Sequence, residues 1–329
     1  MAMDVDRKSD ITLLPQSGIQ TLSSDELDQI RLYLDASFSA NTRRAYQSRW
    51  KNFKEWLIST GRRVCLPIEV QDLIAYLVYL GQSGAKISTV RQTLATLALI
   101  HHSRGLTSPT DDSTLKRAVR EYTRVHGKRP MSKDALDVKD LASMVTFCEE
   151  NGLIWTRDKA LLLLGFAGAF RRSELTALNV EDLQFDDAVL YVLVKRSKTD
   201  QTGEGMYKVI FPSKDPLLSP IEAIKNWLAY LNVDKGPIFR KIDRWGHVQM
   251  DRLTPQSIAL ILKRLTACIS STKNYSGHSL RSGFVTQAIR QGATERSIMY
   301  QTGHRSLVVL QSYIHRKNLR EDNAAQFVL

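Results

Sequence analysis

The chain has 329 residues, of which 43% are apolar, and this length and composition favour two globular domains over one. It carries 46 Lys and Arg against 34 Asp and Glu, a net charge of +12 that favours a polyanionic partner. Three separated cysteines argue against a zinc site or a disulfide framework, and the lack of a signal-peptide pattern or a membrane-length apolar run predicts a cytoplasmic protein.

The first predicted elements are an arm and two helices. Residues 1–22 show little periodicity, which predicts a flexible arm. A capping-box pattern at Ser23–Glu26 precedes LDQIRLYL and predicts the start of a helical region. The next helix should begin near Asn41–Thr42, because apolar residues then repeat at helical spacing. This predicted core stripe comprises Tyr46, Trp50, Phe53 and Leu57.

A third helix is predicted by PIEVQDLIAYLVYL and a fourth by KISTVRQTLATLALI. The predicted buried stripe of the fourth helix comprises Ile87, Val90, Leu94 and Leu97. Its opposite face carries short polar side chains beside two cations, namely Ser88, Thr89, Gln92 and Thr96 with Lys86 and Arg91. Such a face suits close approach to base edges while cations hold phosphate, although an ordinary solvated face has the same composition.

A fifth helix should start at a cap at Ser113 and run through LKRAVREYTRV. The following segment, HGKRPMSKD, is basic and polar and contains glycine and proline, so we interpret residues 126–133 as a linker between domains.

Residues 1–133 hold 20 basic and 13 acidic side chains, and residues 134–329 hold 26 basic and 21 acidic side chains. Since both parts are basic, a protein that grips DNA from two sides fits better than an enzyme with a basic tail.

The second half mixes helices with a β-hairpin. DKALLLLGFAGAF is too apolar for a surface helix and predicts the central buried one. AVLYVLVKRSKT alternates, breaks at DQTGEG and resumes with MYKVIF, which predicts the hairpin. Helices follow at IEAIKNWLAYL, TPQSIALILKRLTACI and the segment opened by GHSLRSGF. The predicted fold is mainly α with a small antiparallel β-sheet: a helical domain at 23–125 and a mixed α+β domain at 134–329.

Two motifs combine cations with helix starts. In GHSLRSGF, His278 and Arg281 are three residues apart, so both would face one side of a helix beside backbone N–H groups that lack helical partners. That arrangement suits an oxyanion, and it equally suits a solvated helix start. In FRRSEL, Arg171 and Glu174 are also three apart, which allows either a neutralising salt bridge or a carboxylate that orients the arginine toward an anion.

Three further candidates are tied to turns. Lys198 falls in the hairpin turn SKTDQTG, where it would be solvated or would deliver a proton to a neighbouring site. His304 follows Gly303, and Tyr313 comes nine residues later. Since nine residues make two and a half helical turns, these two side chains can converge only if His304 lies in the turn made by Gly303.

Metal binding is a rival interpretation of two other clusters. The acidic residues Glu181, Asp182, Asp186 and Asp187 would suit a two-metal nuclease, but they lie between a helix and a strand, where a polar turn is expected. The pair His101–His102 has no third ligand nearby in the sequence, and a helix end explains it better. We therefore expect no metal site.

The order Arg171-x-x-Glu174, Lys198, His278-x-x-Arg281, Gly303-His304, Tyr313 resembles the tyrosine site-specific recombinases. SANTRRAYQSRWKNFKEWL is similar to the helix that opens their core-binding domain, and the likeness covers about residues 23–329. It is strongest to the Cre and Xer types, which lack a separate arm-binding domain. Phe170 and Arg172 depart from the aliphatic residues that the family usually has there.

The resemblance implies phosphoryl transfer that needs no metal, ATP or other cofactor. Tyr313 would attack a DNA phosphate and form a 3′-phosphotyrosine. In this implied mechanism Arg171 and Arg281 would clamp the phosphate, and His304 would donate to a phosphate oxygen. Lys198 would be the acid that protonates the 5′ oxygen, and His278 would exchange the tyrosyl proton. Glu174 would hold the arginine or His278 in place.

It also implies a homotetramer on two inverted-repeat sites in duplex DNA, acting at the nucleoid. Residues 321–329 resemble a helix that family members donate to a neighbouring protomer, and packing on the chain's own domain is the alternative.

Candidate contacts to bases and phosphates are Arg43, Arg44, Gln47, Lys51, Lys86, Arg91, Gln92 and Gln256. A type IB topoisomerase, a telomere resolvase and a non-catalytic DNA-binding protein remain alternatives, and the sequence indicates neither the target site nor any accessory protein.

Overall fold

The computed structural model describes residues 3–4, 38–127, 133–195, 205–304 and 306. The chain divides into two compact units, Met1–Pro130 and Met131–Leu329, and this boundary falls inside the segment interpreted as a linker. None of the helices in the described ranges is both long enough and apolar enough to cross a membrane. The helix predicted at LDQIRLYL lies outside the described residues.

The described part of the first unit is helical. Its helices are α1 (Ala40–Ser59), α2 (Val70–Gln82), α3 (Ile87–His102) and α4 (Ser113–His126). A two-residue strand, β1 (Met3–Asp4), pairs antiparallel with β2 (Cys65–Leu66). A short 3₁₀ turn, Pro109–Asp111, connects α3 to α4.

Side-chain caps set the starts of α1 and α4. The Oγ of Ser39 accepts a hydrogen bond from the backbone N–H of Thr42 at 3.2 Å. Asp112 accepts from the N–H groups of Thr114 and Leu115 at 2.7 and 3.0 Å. A carboxylate that satisfies two N–H groups makes a strong cap, so α4 is capped by Asp112 and not by the predicted Ser113, which is its first residue.

The core of the first unit forms along the predicted stripe of α1. Phe53 and Leu57 are fully buried, and Trp50 is nearly so. Tyr46 is half-buried and makes an edge-to-face contact with Phe38 at a centroid distance of 5.6 Å. Burial of each such side chain stabilises the fold by about 1.5–3 kcal/mol, which explains why this helix anchors the unit.

The buried face of α3 is wider than predicted. Val90 and Leu97 are buried as expected, and Ile87 and Leu94 pack against the same core while half-buried. Thr96, expected on the exposed polar face, is completely buried. Its hydroxyl donates to the carbonyl oxygen of Gln92 at 2.8 Å, so the helix itself satisfies the polar group and the methyl group packs in the core. The placement of Thr96 on a DNA-facing surface was therefore wrong.

The second unit combines helices with short strands. Its described helices are α5 (Val138–Glu150), α6 (Leu153–Ala167), α7 (Arg172–Ala177), α8 (Pro220–Leu231), α9 (Pro255–Cys268), α10 (Ser279–Arg290) and α11 (Glu295–Thr302). Its strands are β3 (Leu183–Phe185), β4 (Leu190–Val194), β5 (Met206–Ile210), β6 (Arg240–Ile242) and β7 (Val248–Arg252). The described part of this unit also contains two 3₁₀ turns, Val180–Asp182 and Pro216–Leu218.

The strands form two antiparallel sheets. The predicted hairpin is present as β4 and β5, with Leu190 opposite Ile210 and Val194 opposite Met206. Strand β3 adds to the other edge of β4, and β6 pairs with β7 as a separate hairpin. Neither β3 nor the β6–β7 hairpin was predicted, because β3 and β6 have only three residues each and VQMDR contains only two apolar residues, which is too short an alternation to indicate a strand.

Helix α6 occupies the centre of the second unit. Leu161, Leu162 and Leu164 are completely buried, as the apolar run predicts. Asp158 is also completely buried on this helix and forms ion pairs with Arg157 and with Arg264 of α9, so its charge is compensated. The carboxyl end of α6, at Ala167, leads directly into the candidate site.

Candidate active site

The end of α6 leads into a tight turn that positions Arg171. A Cβ on Gly168 would come within 2.0 Å of the Phe170 ring, so a side chain at this position would clash. Ala169 follows with a φ of 47°, in the left-handed region. Arg171 then occupies the N-cap position of α7. The chain therefore reverses within three residues and brings Arg171 to a helix start at the edge of the core.

Glu174 holds both the backbone and the side chain of Arg171. Its Oε2 accepts from the Arg171 backbone N–H at 2.9 Å, and its Oε1 accepts from Nη1 of Arg171 at 2.5 Å. The Glu174 side chain is only 3% exposed and that of Arg171 is 18% exposed. A buried carboxylate that fixes a guanidinium at two points is both a salt bridge and an orienting contact, so the two interpretations of FRRSEL coexist.

Arg281 extends from the first turn of α10 to the turn after α6. The residue is 1% exposed, and its Nη1 donates to the carbonyl oxygen of Ala169 at 2.9 Å. The start of α10 is fixed by Ser279, whose Oγ accepts from the backbone N–H of Ser276 at 2.8 Å. His278 occupies the N-cap position of α10, as the GHSLRSGF pattern predicts. The motifs around Arg171 and Arg281 thus meet in space.

His304 lies immediately after α11. Gly303 ends this helix with a φ of 66°, a left-handed conformation that glycine adopts without strain. A Cβ on Gly303 would also come within 3.0 Å of the Met206 sulfur. The Nδ1 of His304 lies 3.0 Å from Oγ1 of Thr302, which fixes the ring orientation. His304 therefore lies in the turn made by Gly303, which is the condition stated above for its convergence with Tyr313, a residue outside the described ranges.

The two imidazoles lie in the field of the two arginines. Partial burial lowers the pKa of His278, and the charges of Arg281 and Arg171 add to the effect. Burial lowers the pKa of His304 to about 4, and Arg281 and Arg171 are again the largest charged contributors. Both rings are therefore neutral near pH 7. A cationic site with neutral imidazoles can bind an oxyanion and can also exchange a proton.

Lys208, in β5, is a site residue that the sequence analysis missed. It is 1% exposed, and its Nζ lies 4.9 Å from the centre of the Phe170 ring. Burial lowers the pKa of Lys208 to about 7, with Glu174 opposing this shift and Arg281 and Arg171 supporting it. Alternation in MYKVIF was the available signal, because Lys208 is two residues before the buried Ile210 and so faces the core.

The other predicted residues fall into two groups. Lys198 and Tyr313 lie outside the described residues, as does the segment 321–329. The candidate DNA contacts lie on solvent-exposed positions: Arg43, Arg44, Gln47 and Lys51 on α1, Lys86, Arg91 and Gln92 at or within α3, and Gln256 on α9. Lys51 makes a surface ion pair with Glu55 at 3.7 Å.

The two rival metal clusters are occupied by structural contacts. Asp182 accepts from the backbone N–H of Asn179 at 2.9 Å, and Glu181 accepts from that of Gly236 at 2.8 Å, as expected for a polar turn. His101 is completely buried; its Nε2 accepts from the N–H of Ile68 at 3.0 Å, and its Nδ1 lies 2.7 Å from the Leu97 carbonyl oxygen. Among the residues that the structure describes, no three potential metal ligands cluster.

Family models match both units of the chain. The phage integrase family matches residues 134–320, and the phage integrase N-terminal SAM-like domain matches residues 29–102. An integrase/recombinase xerD homolog from Selenomonas ruminantium is 32% identical over 295 residues, which cover 88% of this chain and 86% of the relative. The recombinase cre of Escherichia phage P1 is 23% identical over 308 residues, which cover 88% and 87%.

Solved structures share the fold. The XerH site-specific recombinase in a post-cleavage complex with its palindromic difH substrate has a TM-score of 0.62 at 18% identity, covering 93% of this chain and 85% of that one. A lambda integrase dimer bound to a COC′ core site has a TM-score of 0.57 at 17% identity, covering 88% and 76%. These matches confirm the predicted resemblance and the predicted fold class. The chain belongs to the phage integrase family and is a tyrosine recombinase, an enzyme that breaks and rejoins DNA.

Proposed function

We propose that the chain is a site-specific recombinase that cuts and rejoins duplex DNA through a 3′-phosphotyrosine on Tyr313, without metal or ATP. The observation that carries the proposal is the convergence of Arg171, Arg281, His278 and His304 at one site, although the first and the last of these are 133 residues apart in the sequence. Such a cluster suits a phosphodiester, whose non-bridging oxygens are acceptors for guanidinium and imidazole donors.

The arginines would offset charge in the transition state. A phosphoryl group gains negative charge on its equatorial oxygens during transfer, and fixed cations stabilise that charge as a metal ion does in other enzymes. Arg171 is held by Glu174 and Arg281 by the Ala169 carbonyl. Because neither guanidinium has to reorganise when DNA arrives, the site is preorganised for this role.

The proton balance assigns the remaining groups. Oη of Tyr313 attacks phosphorus, and its proton passes to His278, which the lowered pKa keeps neutral and able to accept. The bond from phosphorus to the 5′ oxygen breaks, and Lys198 protonates that oxygen. His304 donates a hydrogen bond to a phosphate oxygen.

The covalent link to tyrosine explains why no ATP is required. A phenol with a pKa of about 10 is a tolerable leaving group, so the phosphotyrosine bond retains the energy of the broken phosphodiester. The 5′-hydroxyl of a partner strand then attacks the phosphotyrosine and releases Tyr313 for another cycle.

Sequence recognition is assigned mainly to the first unit, which we propose as the core DNA-binding domain at 23–125, joined by the linker 126–133 to a catalytic domain at 134–329. Exposed side chains on α1 and α3 would contact bases and phosphates, and Gln256 on α9 would add a contact from the second unit. The excess of basic residues in both parts supports DNA binding by both domains. Since the proposed substrate is DNA, we propose that the enzyme acts in the cytoplasm, at the nucleoid.

We propose that four protomers assemble on two inverted-repeat sites. An apolar groove of about 510 Å³ in the second unit, lined by Leu141, Phe166, Phe284 and Ile298 among others, would receive residues 321–329 of a neighbouring protomer. The sequence FVL in that tail is apolar enough to match it. Deletion of 321–329 should weaken assembly more than binding of one half-site; equal loss of both would count against exchange between protomers.

Covalent capture tests the proposed function. The protein is mixed with sheared DNA from its source in EDTA, denatured with SDS, and the DNA fragments still attached are sequenced, with Tyr313→Phe as the control. Adducts at an inverted repeat that are absent from the control would support the proposal. Scattered adducts would indicate a topoisomerase, and the lack of any adduct would indicate a DNA-binding protein without this activity.

A further inference from the structure

A buried lysine joins the two turns that carry the site residues. The Nζ of Lys208 donates to the carbonyl oxygen of Gly168 at 2.7 Å and to that of Gln301 at 2.5 Å. Gly168 lies at the carboxyl end of α6, and Gln301 lies in the last turn of α11. One side chain therefore connects the ends of two helices that are more than 130 residues apart in the sequence.

Both acceptors are adjacent to groups of the active site. The residue after Gly168 is Ala169, whose carbonyl oxygen holds Arg281. The second residue after Gln301 is Gly303, which places His304. Any change in the separation of these two turns would therefore change the position of His304 relative to both arginines.

The side chain of Gln301 reinforces the same connection. Its amide nitrogen donates to the carbonyl oxygen of Ala167 at 3.0 Å and to that of Val209 at 3.2 Å. The end of α11 is thus bound to the end of α6 and to strand β5, and Lys208 supplies the shortest of these contacts. These hydrogen bonds join the three elements to one another beside the site.

We propose that Lys208 is a positioning residue for DNA cleavage: by binding the carbonyl oxygens of Gly168 and Gln301, it sets the distance between the turn that holds Arg171 and Arg281 and the turn that holds His304. This inference rests on the proposed function of the site. Lys208 does not touch the scissile phosphate, because the side chain is buried beneath the Phe170 ring and both of these hydrogen bonds are to backbone oxygens.

Packing alone does not account for a lysine at this position. Burial of an amine costs free energy that an apolar residue of similar volume would not cost, and the neighbouring arginines add to that cost. A methionine would fill the space but would leave two carbonyl oxygens without their donor. A displacement of about 1 Å between reacting groups slows a reaction about 10²-fold, so we expect a loss of that size in the cleavage rate.

The test compares Lys208→Met and Lys208→Arg with Lys159→Met. Lys159 is a suitable control because it is a nearly buried lysine of the same unit that lies in the first half of α6 and pairs with Glu149 of α5. The DNA probe is the duplex that the wild-type protein enriches from a random-sequence library. For each variant we would measure the single-turnover rate of SDS-resistant adduct formation, the affinity for the duplex and the melting temperature.

We expect Lys208→Met to form adducts about 10²-fold more slowly, with affinity and melting temperature close to those of Lys159→Met. Lys208→Arg, which keeps a donor, should recover part of the rate. A Lys208→Met protein that cleaves at the wild-type rate, or whose cleavage, affinity and melting temperature fall together, would overturn the inference. If the wild-type protein forms no adduct, the proposed function fails first, and this inference fails with it, so the two failures are distinguishable.

Discussion

Arg281 donates to the carbonyl oxygen of Ala169 at 2.9 Å, and this contact joins two motifs that are 112 residues apart in the sequence. The carbonyl oxygen belongs to the turn that presents Arg171, so the two guanidiniums share one support. A backbone acceptor cannot change its rotamer or its charge, which makes it a stable reference point for a catalytic side chain. The pair of arginines therefore acts as a unit.

Replacement of Arg281 by lysine should abolish most cleavage while DNA binding persists. The planar guanidinium of arginine can donate from one nitrogen to the Ala169 carbonyl oxygen while it presents its other donors to a phosphate. The ammonium group of lysine lacks this fork and cannot do both. Loss of one donor of this kind costs about 10²–10³ in rate. The measurement is the single-turnover rate of adduct formation, with Arg290→Lys as the control because Arg290 ends the same helix and is exposed. Similar rates for both variants would remove Arg281 from the proposed clamp.

Glu174→Gln should reduce both stability and activity. A glutamine at this position cannot form the ion pair with Arg171. Its side-chain NH₂ group would also replace one of the two oxygens that accept hydrogen bonds from Arg171, so that one donor would face another. We expect the free energy of unfolding to fall by about 1–3 kcal/mol, as for other hydrogen bonds to charged groups. Urea denaturation measures this change. The control, Glu222→Gln, breaks an exposed pair with Lys225 and should change stability by less than about 0.5 kcal/mol.

His304 should make the fold less stable as the pH falls from about 6.5 toward 4. The unfolded chain binds a proton near its usual pKa of about 6.5, whereas the folded chain resists protonation until the pKa of His304 near 4. The folded state thus binds fewer protons in this window, and stability is lost as the pH drops. In urea titrations over this range, His304→Gln should show a shallower decline than the wild type. Identical declines would contradict the lowered pKa.

Lys208 should also make the fold more stable as the pH rises, but over a higher pH range than His304. Its pKa in the folded chain is about 7, against about 10.4 for an ordinary lysine, so between these values the unfolded chain binds a proton that the folded chain lacks. Stability should therefore rise from pH 7 to pH 10 in the wild type. The rise should be smaller in Lys208→Met, as measured by denaturant midpoints. Lys159→Met should retain the larger part of it.

Two substitutions on the first unit separate base recognition from phosphate contact. Gln92→Ala should relax the preference at one base pair, at a cost of about 1–3 kcal/mol for the preferred base. Lys51→Ala should weaken binding to all sequences alike and reduce the salt dependence of binding by about one phosphate contact. Selection from a random library at two salt concentrations measures both effects. If Gln92→Ala left every position unchanged, α3 would not be the recognition helix.

Thr96→Val provides a matched control on the same helix. Thr96 is buried and hydrogen-bonded to the preceding turn, so its replacement should leave the base preference intact. A change in preference would show that the buried face of α3 contributes to recognition indirectly.

The elements that could be predicted from the sequence are those whose buried residues recur at regular spacing along the chain. The stripe of Phe53 and Leu57, the buried run of α6 and the β4–β5 hairpin all follow from spacing along the chain. Alternation in MYKVIF could have indicated that Lys208 is buried, but its partners could not be predicted, because they are two backbone carbonyl oxygens on distant helices and no sequence pattern marks a carbonyl as an acceptor. Thr96 was misplaced because its hydroxyl is satisfied within its own helix, which makes a polar residue acceptable in the core.

The left-handed conformation of Ala169 restricts how this protein can diverge. A residue with a φ of 47° tolerates a small side chain and disfavours a β-branched one, and Ala169 is also completely buried. Glycine would relieve the strain but would give the unfolded chain more conformations to lose. Position 169 is thereby confined to a very small set of residues although its side chain is buried away from the surface. We therefore expect few substitutions at position 169 in homologous enzymes, for reasons of backbone geometry alone.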